Sequence, residues 1–158
     1  MRILARVCFL IFLTSLPGHS AFAQAITQNT QFTFGTLQKP ASGSHTFTIT
    51  TTGTTSGTGT LLFGAVSAGS YQITRGSLGS STITLDIQNV STGSAAATLS
   101  NFTGRWRNTN ISSFPRSGLT RPATGAGSTL LLGATLTYTS AVTPGSLTAT
   151  FDIVLTQP

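Results

Sequence analysis

The chain has 158 residues, yet only two acidic side chains, Asp86 and Asp152, stand against eight basic ones, two histidines and one cysteine, giving a net charge of +6. So few acids leave almost no material for carboxylate catalysis, a calcium site or a zinc cluster. The high pI of 11.3 reflects missing acids rather than clustered bases; no run of Lys or Arg offers a polyanion several contacts, so nucleic acid is excluded as the expected partner.

The first element is a leader. Arg2 and Arg6 precede an apolar run over residues 7–16, Pro17-Gly18 breaks it, and Ala21 and Ala23 occupy the small-residue positions of a signal-peptidase site. The run is shorter than the roughly 20 apolar residues of a membrane span. Cys8 lies inside it rather than after the cleavage site, so no lipid anchor is expected. The expected organisation is a signal peptide over residues 1–23 and a single domain over residues 24–158, with no membrane span in the mature chain. Cleavage removes Cys8, His19, Arg2 and Arg6. The remaining 135 residues carry six basic and two acidic side chains, a charge of +4, and cannot form a disulfide.

Beyond the leader, threonine alternates with Phe, Ile, Leu and Val, the period-two signature of a strand with one face in a core. The branched Cβ of threonine favours extended backbone on the wet face. In chain order, strands are predicted over residues 31–37 (Phe32 and Phe34 inward), 45–51 (Phe47, Ile49), 60–66, 71–74 (Tyr71, Ile73), 82–90 (Ile83, Leu85, Ile87), 97–102, 129–139 (Leu130 to Tyr138) and 147–156 (Phe151, Ile153, Leu155). Gly, Ser, Asn and Pro clusters at 52–59, 76–81, 91–94 and 143–146 supply turns. About eight short strands with regular turns predict an all-β, antiparallel, immunoglobulin-like β-sandwich.

Residues 104–127 break the alternation. They hold Arg105, Trp106, Arg107, Arg116 and Arg121, and Phe114-Pro115 and Arg121-Pro122 preclude one continuous central strand. The segment reads as a long loop and as the candidate partner-contact site, since Trp and Arg dominate binding hot spots. Two readings stay open: Trp106 stacks on a ligand such as a sugar, or it tucks over the end of the sandwich while the arginines keep the loop soluble.

Chemistry is scarce elsewhere. His45 is the only mature histidine, at a strand start, and Asp86 and Asp152 face solvent from mid-strand, so no triad or carboxylate pair is expected, and no cofactor or metal. The chain reads as no enzyme. Sequons at Asn89, Asn101 and Asn110 arise readily by chance in a chain so rich in Ser and Thr.

Several pieces taken in order carry a resemblance: Phe34-Gly35-Thr36-Leu37, Tyr71-Gln72-Ile73, Asn101-Phe102, Gly133-Ala134-Thr135-Leu136, then Gly145 with Phe151, Ile153 and Leu155. Together they resemble the bacterial secreted family called domain of unknown function 4402, over nearly all of the mature chain. Leu147, Ala149 and Gln157 depart from the Tyr, Gly and Tyr of its closing strand. The resemblance implies a fimbrial-subunit-like β-sandwich and a periplasmic, cell-surface or extracellular location in a Gram-negative bacterium. It brings no catalytic or binding residues.

The expected function is therefore a non-catalytic pilin-like or adhesin-like subunit that pairs with itself or another surface subunit by strand addition. The candidate donor is residues 25–34, with Ile26, Phe32 and Phe34, although the same segment reads slightly better as the first strand of a closed monomer. The alternative is a secreted polysaccharide-binding module that uses the Trp106 loop.

Overall fold

Alternating threonine and apolar residues do form strands, and all of their pairings are antiparallel. The computed structural model describes residues 2–4, 25–74, 81–123, 126–143 and 149–156. The apolar run and cleavage site of the leader, most of the 76–81 and 143–146 turns and the expected start of the last strand at residue 147 lie outside the described residues. The strands are β1 (Arg2–Leu4), β2 (Ala25–Thr30), β3 (Thr36–Gln38), β4 (Ser44–Ile49), β5 (Thr55–Gly57), β6 (Leu61–Phe63), β7 (Gly69–Thr74), β8 (Thr82–Ser91), β9 (Ala97–Trp106), β10 (Thr109–Ile111), β11 (Arg116–Thr120), β12 (Gly127–Thr139) and β13 (Thr150–Thr156).

The longest strand, β12, organises the main sheet. Leu130 to Tyr138 pair with β9; on its other edge the first half pairs with β7 and the second half with β4. The sheet runs β10-β9-β12-β4-β5, with β2 added on the outer side of β7. A second sheet has the order β11-β8-β13, and a third β1-β3-β6.

The sheets face one another across a single apolar cluster, a sandwich-like all-β arrangement. On β12 the side chains of Leu130, Leu132, Ala134, Leu136 and Tyr138 point inward and are buried. Phe151 of β13 meets Tyr71 of β7 and Phe102 of β9 edge-on, with ring centres 6.3 and 5.3 Å apart, and so joins two sheets. Phe32 and Phe34 pack edge-to-face at 5.0 Å. Each fully buried side chain of this size contributes about 1.5–3 kcal/mol. Opposite the core, Thr46, Thr48, Thr98, Thr135 and Thr137 line up across β4, β12 and β9, and the Thr48 and Thr135 hydroxyls are hydrogen-bonded at 2.9 Å.

Two differences from expectation concern boundaries. Phe32 and Phe34 are core residues, but they sit in a link between β2 and β3 rather than in one strand over 31–37; only Thr33 makes a bridge, to Ser67. The first strand of the main domain therefore starts earlier, at Ala25. The strands are also more numerous than eight, because short polar ones such as β5 and β10 carry no apolar alternation.

Candidate functional site

The segment expected as one long loop, residues 104–127, is not a loop. It contains the end of β9, then β10, β11 and the start of β12, and both X-Pro pairs fall between strands, where the missing N–H is tolerated. β9 and β10 form a hairpin whose turn is Arg107-Asn108, with Arg107 at φ 52°.

The cause lies upstream, at Asn101. Thr103 opposes Gly133 and Ser100 opposes Thr135, so Asn101 and Phe102 together face one residue of β12. This is a β-bulge, and Asn101 adopts φ 50°, a left-handed conformation that asparagine accepts more readily than most residues. The extra residue shifts the strand's parity. Before the bulge Ala97 and Leu99 point inward; after it Gly104 and Trp106 do. Trp106 is consequently 1% exposed, and its indole Nε1–H donates to the Thr120 carbonyl at 2.8 Å. Of the two readings of Trp106, the structure shows the tucked one: its faces are packed in the core and closed to a sugar ring.

The four arginines of the segment do not converge. Arg105 stands exposed on the outer face of the main sheet, and Arg107 is exposed at the hairpin turn. Arg116 is exposed on β11, in another sheet, while the Arg121 side chain is buried at 5% exposure. In the candidate donor segment, Ile26 is half-buried against the core from β2, which pairs with β7 of the same chain, and Phe32 and Phe34 are fully buried beyond it.

The titratable groups are equally dispersed. His45 packs edge-on against Tyr138, ring centres 6.2 Å apart, and lines a small cavity with Lys39, Ser42 and Thr60. Asp86 accepts hydrogen bonds from the Ile87 N–H and the Gln88 amide, both at 2.8 Å. Asp152 accepts one from the Asn89 amide at 2.6 Å. Asn89 marks a second bulge, at φ 50°, where Asn89 and Val90 lie between the Ser91–Thr150 and Gln88–Asp152 pairs. Among the described residues no three His, Cys, Asp or Glu side chains gather as metal ligands. Burial pushes the Tyr71 and Tyr138 hydroxyls above their ordinary value of 10.0.

A trough of about 820 Å³, lined by polar side chains together with Gly104 and Ile111, lies beside the β9–β10 hairpin. One wall is the Thr50-Thr51-Thr52 turn after β4, and the other carries Thr103, Arg105, Asn108 and Asn110. Arg105 and Asn110 are direct cross-strand partners and so project from the same face. Gly133 makes the arrangement possible. A Cβ there would fall 2.8 and 2.9 Å from the Thr50 and Thr51 backbone, so only glycine lets that turn fold over β12. Sequence reasoning reached Arg105 but not the trough, whose walls are distant in sequence.

Among the described residues, no helix is long and apolar enough to cross a membrane. No curated protein and no solved structure matches the chain. A family model does, over residues 25–156, from the strand that opens the main sheet to the end of the last strand. The chain belongs to the family described as Domain of unknown function (DUF4402).

Proposed function

We propose that the protein is an exported, non-catalytic surface or periplasmic subunit, pilin-like or adhesin-like, that associates by exchanging β2 between copies. The observation that carries this reading is the position of β2. It is the first strand after the leader pattern, it lies at the edge of the main sheet, and its partner there is β7. Ile26 is its one apolar side chain packed on the core, beside a half-buried Gln28, so withdrawing Ala25–Thr30 mainly breaks a backbone ladder. The bared edge of β7 is by construction complementary to β2 of a second copy, the low-cost route to strand-exchanged assembly. Phe32 and Phe34 stay in their own core as anchors and make the Thr30-Gln31 link the hinge.

A further support is β6, whose Leu61, Leu62 and Phe63 are 40–45% exposed in succession on the end strand of its sheet. Natural edges are usually blunted by charge, and this one is not. Export rests on the pattern of Arg2, Arg6, the apolar run and Ala21-Phe22-Ala23, and the sparse acids support a role without catalysis.

Electrophoresis in SDS without heating, with electron microscopy, tests the reading. Multimers or fibres are expected from the whole chain, and they should disappear when residues 25–30 are deleted while Phe32 and Phe34 are kept. A product that is monomeric at every concentration would contradict it.

A further inference from the structure

We infer that the trough beside the β9–β10 hairpin is a binding site for a carboxylate-bearing saccharide. This goes beyond strand exchange and does not depend on it, since β2 and β7 contribute none of the lining residues.

The lining defines the ligand. Thr50, Thr51, Thr52, Thr103 and Ser112 offer hydroxyls, Asn108 and Asn110 offer carboxamides, Gly104 and Ile111 add a small non-polar portion, and Arg105 is the single charged group. Hydroxyls and amides both donate and accept, which suits sugar hydroxyls that do the same. The wall is partly fixed in advance: the Thr50 hydroxyl accepts the Thr54 N–H at 3.1 Å and is hydrogen-bonded to the Thr52 hydroxyl at 2.9 Å. No lining residue is aromatic, so recognition is by hydrogen bonds rather than stacking.

Arg105 sets the sign of the ligand. The chain's only two acidic side chains, Asp86 and Asp152, lie on β8 and β13 in another sheet, where each accepts hydrogen bonds from its neighbours. The Arg105 guanidinium is therefore left for an outside carboxylate, which it can hold in a two-pronged, charge-assisted contact. A single cation among neutral groups does not suit a polyphosphate, and a lining without acids does not suit a cation. The trough's volume of about 820 Å³ lies within the roughly 300–1,000 Å³ of ligand sites.

Two residues outside the lining build this surface. Asn101 makes the bulge that turns Arg105 outward, and Gly133 lets the Thr50–Thr52 turn close the far wall. Neither position contributes a side chain to the core.

The test is NMR titration of the purified chain with hexuronate oligosaccharides and with sialyllactose, each beside a methyl-esterified form that keeps the hydroxyls and loses the charge. Shift changes confined to residues 50–52, 103–105 and 108–112 are expected from at least one acidic sugar, and affinity should fall about tenfold on esterification or in Arg105→Gln. Asn110→Ala should weaken binding less. Both side chains are exposed, so the amide spectra of these variants should otherwise be unchanged. The inference is overturned if none of these sugars perturbs the trough at millimolar concentration, if the shifts map elsewhere, or if Arg105→Gln binds like the parent.

Discussion

At the scale of single residues, Tyr138 and Gly133 show how much the packing depends on atoms that are missing. The Tyr138 hydroxyl is buried without a hydrogen-bond partner among the described residues, and Gly59 leaves it room, since a Cβ at Gly59 would fall 2.6 Å away. Removing an unpartnered buried hydroxyl relieves a desolvation cost of about 1–3 kcal/mol. Tyr138→Phe should thus leave stability unchanged or raise it by about 1 kcal/mol in urea unfolding. Gly59→Ala should cost about 1–3 kcal/mol by overpacking, and less in the Tyr138→Phe background; equal costs would break the assignment. The same hydroxyls set the alkaline limit. Because burial raises both tyrosines in the folded state, the unfolded chain loses their protons first, near pH 10. Stability should be intact below that value and fall as pH rises above it, and Tyr138→Phe should lessen the fall. Gly133→Ala should cost about 1–3 kcal/mol, because the colliding atoms are backbone and cannot step aside.

At the scale of elements, the two bulges decide what faces where. Asn101→Gly should be tolerated within about 1 kcal/mol, whereas Asn101→Val, β-branched at φ 50°, should cost about 1–2 kcal/mol or more. Trp106 is the only tryptophan, so its emission reports the outcome: blue-shifted where the bulge holds and red-shifted where parity is lost. The bulges also explain where sequence reading worked. Leu130 to Tyr138 on β12 and Ile83 with Leu85 on β8 alternate without interruption, and they were legible as inward faces. On β9 the inward set changes from Ala97 and Leu99 to Gly104 and Trp106, so a single-parity reading ends the strand at Phe102 and leaves Trp106 in a loop. The signal was present as asparagine followed by a large apolar residue inside an alternating run, at Asn89-Val90 and Asn101-Phe102. Both looked like chance sequons. β5, β10 and β11 were illegible for another reason: they are three to five residues long and mostly exposed, so no face alternates.

At the scale of the whole molecule, stability rests on one apolar cluster and antiparallel ladders, with Arg105 and Arg116 on different sheets and the two aspartates on one. The contact proposed for this molecule is exchange of β2. Thr27 and Gln72 are cross-strand partners in the β2–β7 pair and lie off its buried face, so cysteines there can bridge the two strands without entering the core. The direct measurement is non-reducing SDS electrophoresis of the Thr27→Cys, Gln72→Cys double variant after mild oxidation at assembly concentration. A strand-exchanged subunit joins the β2 cysteine of one copy to the β7 cysteine of the next and gives a covalent ladder that collapses on reduction. A single oxidised monomer band, with both cysteines joined within one chain, would contradict the account.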